Sequence, residues 1–80
     1  MPDLDSIRLA ARDAVGEIAR ARVTDDEPLV SSGLIDSLSI LTLISKLETR
    51  LGIRLRTSGL QPDDFDTIDL IAETVSRAQA

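Results

Sequence analysis

The 80-residue chain has no cysteine, no histidine and no tyrosine, and it has one phenylalanine and a single lysine, Lys46. Without cysteine there is neither a disulfide framework nor a zinc-thiolate site, and cysteine usage gives no reading of the redox compartment. Most of the usual general bases and nucleophile activators are missing, which argues against an enzyme. Nine basic residues against 14 acidic ones give a net charge of -5. That balance argues against binding a polyanion through counterion release, and so against a helix-turn-helix reader of DNA. No basic segment followed by an apolar stretch opens the chain, and no apolar run is long enough to span a bilayer, so a cytoplasmic protein without a membrane span is expected. A chain of this length builds one small core, and residues 1–80 read as a single domain.

What is present is helical periodicity. Asp3 is placed to cap a first helix over about residues 4–22, with Leu4, Ile7, Ala11, Ala14, Val15 and Ile18 forming one apolar stripe. From Val23 to Asp36 the period is lost, and Pro28, Ser31, Ser32 and Gly33 mark a loop whose Leu29, Leu34 and Ile35 are expected to tuck inward. The Asp25-Asp26-Glu27 run lacks the alternating ligands of a calcium loop and reads as solvated charge; no metal site is expected. A second helix spans residues 37–51, with Ile40, Leu43, Ile44, Leu47 and Leu51 on its core face and Gly52 ending it. Leu38 and Leu41 lie opposite or on the margin of that face, beside Thr42 and Ser45, and are expected to stay partly exposed. Residues 53–57 alternate like a strand but have no partner strand, so an extended segment is expected, with Arg54 and Arg56 in solvent. Pro62 starts a short helix over residues 61–65, anchored by Phe65. Asp66 and Asp69 then resemble a capping pair for a last helix carrying Ile68, Ile71, Ala72 and Val75, with a frayed end beyond Arg77. The elements make an all-α chain.

Gly33-Leu34-Ile35-Asp36-Ser37-Leu38 joins the loop to the second helix. If Asp36 is the N-cap, its carboxylate takes the first free N–H groups and Ser37 becomes the first helical residue with its hydroxyl free. If Ser37 is itself the cap, that oxygen is occupied and has no further use. Local sequence leaves both open.

A short acidic chain with a long loop, then Gly-Leu-Ile-Asp-Ser-Leu opening an amphipathic helix, resembles the acyl carrier and peptidyl carrier protein family over essentially its whole length. The resemblance implies a small four-helix bundle of acyl-carrier type, with three longer helices and one short one. It implies that Ser37 carries 4'-phosphopantetheine, attached from coenzyme A by a phosphopantetheinyl transferase. The arm's thiol would hold acyl or aminoacyl groups as thioesters, which suits a chain with no thiol of its own. It further implies that Asp36, Leu38, Leu41, Thr42 and Ser45 face partner enzymes. Those partners are an acyl- or aminoacyl-adenylating ligase and a downstream acyl transferase or synthase, met by a monomeric, non-catalytic carrier.

The fatty-acid-synthesis members have a conspicuously acidic second helix, whereas here Lys46 and Arg50 against Glu48 leave residues 37–51 at a net charge of +1. Partners steered by long-range attraction to an acidic helix would gain little on this surface. The spelling is more similar to stand-alone aminoacyl and D-alanyl carriers, or to carriers of specialised acyl or secondary-metabolite pathways, than to a polyketide or fatty-acid-type carrier. A phosphodiester on Ser37 is expected at the N-terminus of the second helix, with Asp36 opposing it by like-charge repulsion so that the arm points away into solvent or along the face of that helix, and Ile40, Leu60 and Phe65 are expected to line a cleft for cargo. An interaction-only helical adaptor, with Ser37 as a mere capping residue, is the alternative from another class.

Overall fold

The computed structural model describes residues 2–79. Among these residues three α-helices, α1 (Leu4–Ala19), α2 (Ser37–Leu51) and α3 (Ile68–Ala78), pack with a 3-10 turn, Pro62–Phe65, between the last two. Among the described residues there is no extended strand. The expected short third helix is therefore a 3-10 turn; Pro62 supplies the preset φ at its start, and Gln61 and Asp64 exchange reciprocal capping bonds.

Each helix buries the stripe that its spacing marks. From α1 come Ile7, Ala10, Ala11, Ala14 and Val15; from α2 Ile40, Leu43, Ile44 and Leu47; from α3 Ile68, Ile71, Ala72 and Val75. The three alanines let α1 approach its neighbours closely, while Phe65 fills the volume beneath the 3-10 turn. Leu4, expected in the stripe, is 42% exposed, because the first turn of α1 runs past the edge of the core.

The first helix is shorter than expected. Arg20 takes the left-handed conformation at φ 55° and ends α1. The chain then turns so that Val23 packs on the core and Asp25 meets Arg12, whose Nε lies 2.8 Å from the Asp25 carboxylate. Asp25 also accepts the Asp69 N–H through its carbonyl at 3.1 Å. Asp26 and Glu27 each accept a bond from Thr24, so the acidic run is bonded into the loop and is more than solvated charge.

Two expectations at the far end are corrected. Thr67, and not Asp66, caps α3, its hydroxyl accepting the Leu70 N–H at 3.0 Å, while the Asp69 carboxylate pairs with Arg8 of α1. Residues 53–57 do have a partner: Leu55 forms an antiparallel bridge with Gln79, and Arg56 donates its N–H to the Ala78 carbonyl at 2.7 Å. The end of α3 is thereby tied down through Gln79, where fraying was expected.

Candidate functional site

The junction between loop and α2 adopts the arrangement in which Ser37 is free. Asp36 is the N-cap in extended backbone, and its Oδ1 accepts the Ser39 N–H at 2.8 Å. That backbone bond, first among several, holds the Asp36 carboxyl below its ordinary value. Ser37 is the first helical residue, exposed, and among the described residues no hydrogen bond engages its hydroxyl. With Asp36 already turned onto the first-turn N–H groups, the helix terminus is occupied by a carboxylate. A phosphodiester on Ser37 would be repelled from it.

The loop that delivers Ser37 is held at both ends. Leu29 and Ile35 are fully buried, and the Ile35 N–H donates to the Leu29 carbonyl at 2.9 Å, closing the intervening residues into a short excursion. Inside it, Gly33 sits at φ 83°, where a side chain would be strained, and donates its N–H to the Val30 carbonyl. Leu34, expected to tuck inward, is instead 36% exposed, because the excursion turns it outward. Asp66, whose sequence position suggests only a helix cap, reaches across to this loop. Its carboxylate accepts the N–H groups of Val30 and Ser31, both at 2.8 Å, and the Ser31 hydroxyl at 3.0 Å.

Beside Ser37 opens a cleft of about 280 Å³. Ser37, Ile40, Leu41 and Ile44 form its α2 wall, and Leu60, Pro62 and Phe65 stand opposite, with Thr57 and Gln61 at the polar edge. The expected lining residues Ile40, Leu60 and Phe65 are all present, and no ionisable side chain lines it. The opposite wall is fixed by Thr74, buried on α3, whose hydroxyl donates to the Asp64 carbonyl at 3.0 Å.

Leu38 is 80% exposed and Leu41 70%, and Thr42 and Ser45 are exposed with them. Leu34 adds to the exposed apolar area near the start of α2. The charged residues of α2 point elsewhere. Lys46 pairs with Glu17 of α1 at 2.9 Å, Arg50 pairs with Glu17 and Asp13, and the Glu48 carboxylate accepts the Leu55 N–H at 2.9 Å.

Larger cavities lie away from Ser37. One of about 500 Å³ is bordered by the Asp13, Glu17 and Arg50 ion pairs and by Arg12, which pairs with Asp25. Another, of about 400 Å³, includes Arg56 and Arg77 behind the 56–60 segment. Neither is lined by Ser37.

Ser37 thus offers an exposed, unshared hydroxyl at the start of a helix, with an apolar cleft on one side and exposed leucines on the other. Residues 5–75 match the family described as phosphopantetheine attachment site. The chain is 36% identical over 64 residues to the D-alanyl carrier protein of Streptococcus thermophilus strain LMD-9, covering 78% of this chain and 81% of that one. It is 33% identical over 72 residues to the D-alanyl carrier protein of Streptococcus sanguinis strain SK36, covering 88% and 91%. This chain belongs to the phosphopantetheine attachment family and is a carrier protein whose covalent cofactor is 4'-phosphopantetheine. Among the described residues no helix is long and apolar enough to cross a membrane.

Proposed function

We propose that this protein is a non-catalytic aminoacyl carrier in which Ser37 bears the phosphopantetheine arm. The observation that carries the reading is the division of labour at the start of α2: Asp36 takes the capping bond and leaves the Ser37 hydroxyl free. The residues present fit the group. Ser37 is exposed, borders an apolar cleft, and has no neighbouring histidine or lysine, while the Asp36 carboxylate is taken up by the capping bond, so activation of its oxygen falls to another protein's active site. In that step the Ser37 Oγ attacks the phosphorus of coenzyme A that bears pantetheine. A serine O–P bond forms, the pyrophosphate P–O bond breaks, adenosine 3',5'-bisphosphate leaves, and the hydroxyl proton passes to a base of the transferase. When bound, the arm supplies the thiol that this chain lacks and holds the carried group as a thioester.

The chain's own part is to present and to steer. Asp36 repels the phosphodiester from the helix terminus and so directs the arm away from the capped turn, toward the cleft or the outer face of α2. Leu38, Leu41, Thr42 and Ser45 form the surface met by the transferase, by an adenylating ligase and by the acceptor enzyme. An aminoacyl cargo is supported by the relatives named for D-alanine and by the want of an acidic second helix. A fatty-acid-type acyl cargo has neither support.

The test is the intact mass of the protein before and after incubation with coenzyme A and a broad-specificity phosphopantetheinyl transferase. One phosphopantetheine is gained by the native chain and none by Ser37→Ala. The holo form is then offered to ligases with D-alanine, other amino acids, malonate and fatty acids, and loading by an amino acid alone is expected. No mass gain with several active transferases rejects Ser37 as the attachment point and leaves the adaptor reading.

A further inference from the structure

Asp66 binds the Ser37 loop to the cleft wall. The Leu29 N–H donates to its carbonyl at 2.6 Å, the Val30 and Ser31 N–H groups donate to its Oδ1, both at 2.8 Å, and the Ser31 hydroxyl donates to its Oδ2 at 3.0 Å. Three consecutive loop residues thus end on one residue far along the chain. These bonds hold the carboxyl below its ordinary value, the Ser31 backbone N–H being the largest cause. Asp66 itself closes the 3-10 turn, its N–H donating to the Asp63 carbonyl at 3.3 Å, directly after Phe65, which walls the cleft.

From this hold to Ser37 no stretch of backbone is left loose. Leu29 accepts the Ile35 N–H, Ile35 is buried, and Asp36 is fixed by Ser39. Buried Leu29 and Ile35 fix only the ends of the excursion. Its interior is Val30-Ser31-Ser32-Gly33-Leu34, of which Val30 packs partly on the core while Ser31 to Leu34 are exposed. Within the loop the Ser32 hydroxyl donates to the Pro28 carbonyl at 2.7 Å and the Gly33 N–H to the Val30 carbonyl at 3.0 Å, but these bonds are local; the hydrogen bonds that tie the excursion to a distant part of the fold end on Asp66, which uses both carboxylate oxygens.

We propose that Asp66 is a positioning residue for the modification of Ser37: it clamps residues 29–31 to the end of the 3-10 turn, so that the serine and the exposed Leu34 are presented to the transferase in one arrangement. The role rests on Ser37 being the attachment point. An unclamped loop occupies the competent arrangement for only a fraction of the time. The apparent affinity of the transferase for the carrier falls by that fraction, while the rate in the bound complex is unchanged. The signature is a rise in KM at constant kcat.

The experiment is steady-state phosphopantetheinyl transfer from coenzyme A to the full chain, with native protein, Asp66→Ala, Asp66→Asn and Asp66→Glu. Backbone amide exchange at Val30 and Ser31 is measured at a temperature where circular dichroism shows each variant helical. Asp66→Ala is expected to raise the KM for the carrier about tenfold with kcat within about twofold, and to speed exchange at Val30 and Ser31. Asp66→Asn keeps an oxygen in place for both N–H groups and should stay within about threefold of native in KM. Asp66→Glu keeps the charge but displaces the acceptor by one methylene, and it carries the test if the alanine variant does not fold; its KM should rise as well. An unchanged KM in Asp66→Ala and Asp66→Glu, or exchange that does not accelerate, overturns the proposal while native protein is still modified. If the native chain is not modified at all, it is the assignment of Ser37 that has failed.

Discussion

The loop before Ser37 offers two leucines that sequence alone treats alike and the structure does not. Leu29 is fully buried, whereas Leu34 is 36% exposed. Truncating a buried leucine to alanine costs about 2–5 kcal/mol, part transfer and part residual cavity. A leucine already turned partly to water loses roughly 0.5–1 kcal/mol. For 80 residues a total stability of about 4–12 kcal/mol is expected, so Leu29→Ala removes a large share and Leu34→Ala a small one. At about 4–8 °C per kcal/mol, Leu29→Ala should lower Tm by at least about 8 °C and Leu34→Ala by no more than about 8 °C, the same slope applying to both. With a urea slope near about 1 kcal/mol per molar, the midpoints should move by about 2 M or more and by less than about 1 M. The chain has no tryptophan or tyrosine, so the assay is the far-ultraviolet circular dichroism of its helices, followed against temperature and urea. Equal losses in the two variants, or a Leu29→Ala shift under about 5 °C, would refute the account of how this loop is anchored. On that account, Leu34→Ala should slow transfer to Ser37 while leaving the helices intact.

Gly52 ends α2 at φ 65° with nothing within 4 Å of an added Cβ. Gly52→Ala should therefore cost about 1 kcal/mol of conformational strain without a clash, measurable as a Tm lower by about 4–8 °C. Asp3, Asp36 and Asp66 all have carboxyls held below their ordinary value of 3.8 by backbone N–H donors. A folded-state value below the unfolded one means that the stability from these groups is fully present above the unfolded value and is lost as pH falls through the folded values. Tm should accordingly drop between about pH 5 and about pH 2, and the drop should be smaller in Asp66→Asn. Because no unpaired charge of α2 sits with Leu38 and Leu41 on the exposed face, kcat/KM for transfer to Ser37 should change by less than about threefold between about 0.05 and about 0.5 M salt. A steep salt dependence would mean that partners read charges elsewhere on the chain.

The helices were legible because their signals are local. Asp3 and Asp36 stand one residue before periodic apolar runs, and Gly52 follows the last residue of one. The core faces of α2 and α3 follow from the same periodicity, and so does the exposure of Leu38 and Leu41 opposite it. The free state of Ser37 was legible only as one of two options, since Asp and Ser are both good caps and local preference does not choose between them. What escaped the sequence depends on residues far apart in the chain. Asp66 looks like a helix cap until the structure puts Val30 and Ser31 beside it, and Thr67 is then free to cap α3. Residues 53–57 looked unpaired because their partner, Gln79, lies beyond the last helix and has no strand-like pattern of its own. Leu34 misled for a related reason: hydrophobicity marks a side chain as able to be buried, and only the Leu29–Ile35 closure decides which loop residues turn inward.

The charges of α2 bear on recognition through where they point. Its small net positive charge suggests a weakly basic docking helix, yet Lys46 and Arg50 are turned to Glu17 and Asp13 of α1, and Glu48 is committed to the Leu55 N–H. The basic residues serve the contact between α1 and α2, and the strip of α2 that flanks Ser37 is left to leucine and hydroxyl side chains. A partner for such a strip must match it by apolar contact and short hydrogen bonds, which demand close fit and a rigid presentation, whereas long-range attraction tolerates a mobile target. That requirement connects the surface to the loop beside it. A carrier recognised by shape needs its serine and adjoining leucines fixed, and the hydrogen bonds from residues 29–31 to Asp66 are where this chain fixes them.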